Sequence, residues 1–161
     1  MATVAVKSVQ GNDREALVAL LVEARLHASL SHPHLVTLLG VQEARMPVYL
    51  AMEYCPLGDL RRFLQEWRTR PTSAFGSRSA VLAPAARLDM AKQVASAVEY
   101  LHHMQCLHRD LAARNVLVVE SHHGFGPGDA PAPGCGYTLK LSDLGLARSF
   151  ASATGTHMVR V

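Results

Sequence analysis

Hydrophobic and polar residues alternate at the start of the chain, in ATVAVKSV (Ala2 to Val9). A period of two with β-branched residues predicts a strand, with Ala5 and Lys7 on one face and Val4 and Val6 on the other. Gly11 to Asp13 (GND) predicts a turn and a helix cap. From there Leu17, Leu20, Leu21, Ala24 and Ala28 recur at helical spacing, so Arg14 to Leu30 is expected to form one amphipathic helix that Pro33 stops. Two further strands are predicted, Leu35 to Val41 and Pro47 to Met52. A loop broken by Pro56 and Gly58 follows, then a short helix from Leu60 to Trp67. Arg68 to Pro84 is rich in small and polar residues and predicts a surface loop. Leu88, Ala91, Val94, Ala95, Val98 and Leu101 mark a long helix over Ala85 to Met104. NVLVVE (from Asn115) and YTLKLSD (from Tyr137) predict a hairpin. The Gly/Pro-rich segment between its strands, Ser121 to Gly134, is a long insertion. The tail has no strong pattern, and no internal repeat is present.

This order suggests a small β-rich lobe joined by EYCPLG to a helical lobe. Composition bounds the function. The 161 residues are 49% hydrophobic and 18% charged with a net charge of +3, enough for a real core and unlike a disordered tail. No Lys/Arg run or basic–aromatic interleaving supports a nucleic-acid partner. The three cysteines, Cys55, Cys106 and Cys135, are scattered and odd in number, which fits a reducing compartment. No apolar run reaches the ~18 residues of a membrane span, and no signal peptide is visible. The segment is therefore expected in the cytoplasm, without membrane contact of its own.

The densest chemistry lies in CLHRDLAARNVLV, from Cys106 to Val118. A carboxylate beside a His and an Arg, five residues before an Asn, suits in-line phosphoryl transfer. Asp110 can accept a hydroxyl proton, and Asn115 can give an oxygen ligand to Mg²⁺. The run H-R-D-L-x-x-x-N resembles the catalytic loop of eukaryotic protein kinases, and HRDLAARN is most similar to the tyrosine kinase group.

Other segments carry the resemblance in the same order. VAVK resembles the family's Val-Ala-Ile-Lys strand. It implies that Lys7 binds the α- and β-phosphates of ATP and that Ala5 roofs the adenine. LLVEARLHASLSHPHLV resembles the helix whose Glu pairs with that Lys, which makes Glu23 the partner. By residue type alone, Glu23 reads as solvent-facing. LSDLGLARS resembles the Asp-Phe-Gly segment with Leu144 for Phe, so Asp143 would hold Mg²⁺ at the β- and γ-phosphates. Met52 falls at the gatekeeper position. Glu53, Tyr54 and Cys55 would form the hinge whose backbone bonds adenine, and Leu117 would pack beneath the ring. Arg114 would help place a substrate tyrosine. AMEYCPLGDLRRFL is most similar to receptor-type tyrosine kinases, which allows a membrane-receptor parent.

The resemblance implies an α+β, protein-kinase-like two-lobe fold, truncated: residues 1–52 as a partial small lobe from the family's third strand, 53–59 as the hinge, and 60–161 as a partial large lobe up to the activation segment. The family's Gly-rich phosphate loop and its Ala-Pro-Glu segment have no counterpart in these residues. Poor stability, exposed apolar surface on the long helix and no phosphotransfer by this piece alone are expected. His27 stands where the family places an apolar residue and needs a hydrogen-bond partner. No Tyr follows Asp143; Thr154 and Thr156 are weak substitutes as phosphate acceptors. His102, His103, His122, His123 and Cys135 match no zinc spacing.

The implied function is a segment of an ATP- and Mg²⁺-dependent protein tyrosine kinase acting on protein tyrosines. The alternative is a non-catalytic kinase-like interaction protein or short competitor form. A generic α+β domain with chance motifs is discounted by the order of the motifs.

Overall fold

A computed structural model describes residues 3–9, 13–69, 82–121 and 136–149. The expectations for Gly11, for the middle of the 68–84 loop, for His122, His123 and Cys135 in the insertion, and for Thr154 and Thr156 lie outside these residues.

Strands β1 (Val4–Ser8), β2 (Leu38–Gln42) and β3 (Tyr49–Glu53) form an antiparallel sheet in the order β1-β3-β2. β1 alternates in exposure as predicted, with Ala5 and Lys7 on the more covered side. Helix α1 (Arg14–Ala28) covers that side and closes a small core of Leu20, Ala24, Val48 and Leu50. Asp13 caps α1, its carboxylate accepting the Glu15 and Ala16 amides at 3.0 and 3.1 Å. The helix ends at Ala28 rather than Leu30. The Ser29 hydroxyl donates to the Leu26 carbonyl at 2.7 Å and closes the last turn.

The predicted strand Leu35–Val41 is divided. Leu35 is buried in the larger core, Val36 is buried beside it, and both meet β6 (Tyr137–Leu141), while the strand that joins the small sheet starts at Leu38. The apolar run is long because it serves two cores in turn. Similarly, the predicted strand Pro47–Met52 begins at Tyr49 and runs on through Glu53. Glu53 is thus a strand residue rather than the first residue of a free connector.

Below the connector, α2 (Leu60–Thr69) buries Phe63 and Trp67, one turn apart, and exposes Arg61, Arg62 and Glu66. Helix α3 (Pro84–His103) starts on a proline, which loses no helical hydrogen bond there, and buries Ala86, Met90, Ala97 and Leu101. β5 (Val116–Glu120) pairs antiparallel with β6, bringing Val118 opposite Leu139. Strand β6 stops at Leu141, short of the predicted Asp143, and Asn115 lies in a 3₁₀ turn (Ala113–Asn115) rather than at the start of β5. A two-residue pair, β4 (Cys106–Leu107) with β7 (Arg148–Ser149), was not expected. The larger core joins α2, α3, β5, β6 and Leu144. As expected, Leu88 on α3 is exposed, and Leu60, Leu64, Val94 and Leu111 line an open groove beside that helix.

Candidate active site

Four elements converge where the small sheet meets the larger core. Lys7 extends from β1 toward α1, where its ammonium lies 2.8 and 2.7 Å from the two carboxylate oxygens of Glu23. Glu23 is 6% exposed, which overturns the solvent-facing reading from residue type. A carboxylate so covered requires a charged partner, and Lys7 supplies it. The same ammonium lies 3.4 Å from the Asp143 carboxylate. Asp143 has φ 62°, a left-handed conformation that Asp tolerates better than most residues. A 3₁₀ turn (Leu144–Leu146) follows it. Leu144, buried at 2%, seats that turn in the larger core, so Leu serves as the apolar anchor. A Cβ at Gly145 would come within 3.2 Å of Asp143 Oδ1 and 3.3 Å of Glu23 Oε2. Glycine therefore leaves room for both carboxylates around Lys7.

The second half of the site grows from the loop after β4. Arg109 has φ 66°, a strained left-handed residue that turns the chain so that Asp110 faces the 3₁₀ turn. The Asp110 carboxylate accepts from Asn115 Nδ2 at 2.8 Å and from Arg114 Nη2 at 2.6 Å. These two hydrogen bonds, the Asn115 one first, hold the Asp110 carboxyl below its usual range. Asn115 Nδ2 also donates to the Asp110 carbonyl, so its Oδ1 is the atom left to act as a ligand.

The two halves are tied together. Ser142 donates to the Asn115 carbonyl through both its amide and its hydroxyl, at 2.8 and 2.9 Å. Buried His108 donates from Nε2 to the Ser142 carbonyl at 2.9 Å, and its Nδ1 accepts the Asp110 amide at 3.3 Å. His108 therefore braces both Asp110 and Asp143. It was not among the candidate site residues, although it lies inside the motif that pointed to them.

Met52 and Leu117 are partly buried, and Ala5, on the same face of β1 as Lys7, lies opposite Met52 in the sheet. The Glu53 amide donates to the Thr37 carbonyl at 2.9 Å. Its carboxylate accepts Lys140 Nζ at 2.9 to 3.0 Å and the Thr37 amide at 3.1 Å. Burial alone would raise the Glu53 pKa, but Lys140 and the Thr37 amide outweigh it and hold it low. Burial, aided by the Glu53 charge, pushes the Cys55 thiol up to about 11, so the connector cysteine is not a nucleophile at neutral pH. His27 is buried and donates from Nε2 to the Val36 carbonyl, while its Nδ1 has no partner.

Asp143 and Asn115 Oδ1 are hard oxygen donors, and no group of three or more metal-binding side chains occurs among the described residues. Such a sparse oxygen set fits Mg²⁺, which keeps waters and takes further ligands from phosphates. His102 and His103 are the last two residues of α3.

The sequence pattern of the family described as protein tyrosine and serine/threonine kinase matches residues 1–160. Human tyrosine-protein kinase ABL2 is 37% identical over 154 residues, which is 96% of this chain and 11% of that protein. The mouse ABL2 is 38% identical over the same share. The transforming protein Fps of avian sarcoma virus, strain PRCII, is 34% identical over 98% of this chain and 26% of its own length. The chain thus spans only 11% of the length of the ABL2 relatives it matches.

Proposed function

The chain belongs to the protein tyrosine and serine/threonine kinase family, and from that premise we propose that it is the central catalytic segment of an ATP-dependent protein tyrosine kinase. The observation that carries this reading is Lys7, within 2.8 Å of Glu23 and 3.4 Å of Asp143. A cation held between a structural carboxylate and an exposed one is arranged to receive polyphosphate oxygens beside a metal ion.

In this reading Lys7, fixed by Glu23, binds the α- and β-phosphates. Asp143 and Asn115 hold Mg²⁺, which neutralises charge on the transferring phosphoryl group. Ala5, Met52 and Leu117 enclose the adenine, and the backbone from Glu53 to Cys55 bonds its edge. Asp110 accepts the proton of a protein tyrosine hydroxyl, and Arg114 orients both Asp110 and the substrate ring. Residues 1–52, 53–59 and 60–161 act as small lobe, hinge and large lobe. The tyrosine preference is supported by HRDLAARN and by the names of the relatives. The likeness to receptor-type members rests on AMEYCPLGDLRRFL alone. Among the described residues no helix is long and apolar enough to cross a membrane, and the cytoplasm is the proposed compartment.

The test is phosphoryl transfer from Mg²⁺-ATP to a tyrosine peptide by the intact protein that carries this chain. Asp110→Asn is expected to lower the rate by about 10²–10⁴, the contribution of a general base, while ATP affinity is kept. Transfer unaffected by Asp110→Asn, or directed to serine, would sink the reading. ATP binding without transfer in the wild type would favour a non-catalytic interaction protein.

A further inference from the structure

Strand β6 has a strand partner, β5, on one side only. An unsupported second edge would present free peptide groups. Here five outward groups in succession are taken. The Tyr137 carbonyl accepts Gln93 Nε2 at 3.1 Å, and the Leu139 amide donates to Gln93 Oε1 at 2.7 Å. The Leu139 carbonyl accepts His34 Nδ1 at 3.1 Å. The Leu141 amide donates to the His34 carbonyl at 2.8 Å, and its carbonyl accepts the Val36 amide at 2.9 Å. Only the last two partners are main chain. Gln93, on α3, offers one carbonyl and one N–H, as a peptide unit does. Asp89, one turn earlier, takes a hydrogen bond from the same Nε2 at 2.8 Å and so fixes which way the amide points.

We propose that Gln93 is a positioning residue for Asp143, its side-chain amide standing in for a neighbouring strand and locking the register of β6. Asp143 lies two residues beyond Leu141, in a left-handed conformation that its neighbours must hold. A one-residue slip of β6 would exchange the faces of Leu139, Lys140 and Leu141, and would draw Ser142 off the Asn115 carbonyl. Gln93 touches neither nucleotide nor metal in this account. It acts through β6, and the inference rests on the reading of Asp143 as a metal holder.

The full chain carrying Gln93→Leu is compared with wild type by ATP affinity with and without Mg²⁺, and by amide exchange at Leu139 and Leu141. In wild type Mg²⁺ is expected to tighten ATP binding. Gln93→Leu is expected to shrink that tightening by about tenfold, the size of one such hydrogen bond. Metal-free affinity stays unchanged and exchange at both amides rises. In an Asp143→Asn background the substitution has no further effect on the Mg²⁺ dependence, because the two act through one group. Full tightening retained by Gln93→Leu, or equal loss with and without metal, overturns the proposal. Absence of any Mg²⁺ effect in wild type overturns the role of Asp143 itself, and the proposal with it. Should Gln93→Leu fail to fold, Gln93→Glu keeps the acceptor for Leu139 and removes the donor to Tyr137, and the same two results decide there.

Discussion

Asp110 is held by two side chains of unequal kind. Asn115 gives a neutral hydrogen bond in a fixed direction, and Arg114 gives a charged one from a side chain that is 58% exposed. Because the folded carboxyl lies below its ordinary value, its ionised form is favoured in the folded state. That preference is fully present above the ordinary value and fades only as pH falls through the lower, folded one. Asn115→Ala and Arg114→Leu are each expected to raise the carboxyl back toward the ordinary range, read by carbon NMR titration of the Asp110 side chain. A carboxyl that does not move in Asn115→Ala would mean that Arg114 alone holds it low. At this scale the sequence was informative wherever a motif named the residue. Lys7 meets Glu23 and Asp143, and Asp110 meets Asn115. By type alone Glu23 pointed to solvent, because nothing local announces that a cation will reach it from a strand 16 residues earlier. Gln93 and Lys140 were silent for the same reason: Tyr137 and Leu139, and Glu53, are distant from them in the chain.

Helix α1 carries Glu23 into the site, and its start is secured by a single cap. Asp13→Ala is expected to cost about 1 kcal/mol of stability, a drop of roughly 3 °C in Tm for a chain of this size. ATP affinity should hold, since Glu23 sits in the helix interior, well past the first turn that would fray. Loss of affinity in step with Tm would show that the whole helix, not only its first turn, depends on the cap. The long elements were legible because the apolar period is sustained over many turns: α3 begins and ends within one residue of its predicted limits. Leu35–Val41 misled because hydrophobicity says that a residue is buried and not in which core. β4 and β7, with two residues each, are too short to carry any period.

The two cores are unequal. Leu20, Ala24, Val48 and Leu50 make up its buried part, against a larger core that spans α2, α3, β5 and β6. Beyond the connecting chain, the small sheet and α1 are fastened by the pairing of residues 34–36 with Leu141, by Leu26 and Leu30 against the larger core, by the Lys7–Asp143 contact, and by the Lys140–Glu53 pair, whose side chains are 14% and 26% exposed. An ion pair so covered is costly to break from one side, because the remaining charge loses its partner without regaining full hydration. Lys140→Met leaves the Glu53 carboxylate with only the Thr37 amide. The small sheet and α1 should then open before the larger core. Trp67 is the sole tryptophan and lies in the larger core against Phe63 and Tyr137, so its fluorescence follows that core alone. Far-ultraviolet circular dichroism follows both. In urea the two signals should coincide for wild type and separate for Lys140→Met, with the dichroism falling first. Acid acts on the same fastening from the other side. Glu53 is held below its ordinary value, so its contribution is present above that value and fades as pH falls through the folded one. Wild type below about pH 4 should therefore begin to separate the two signals as Lys140→Met does at neutral pH. Signals that stay coincident in both cases would mean that the main chain of residues 34–36, the Lys7–Asp143 contact and the packing of Leu26 and Leu30 join the two cores without help from the ion pair.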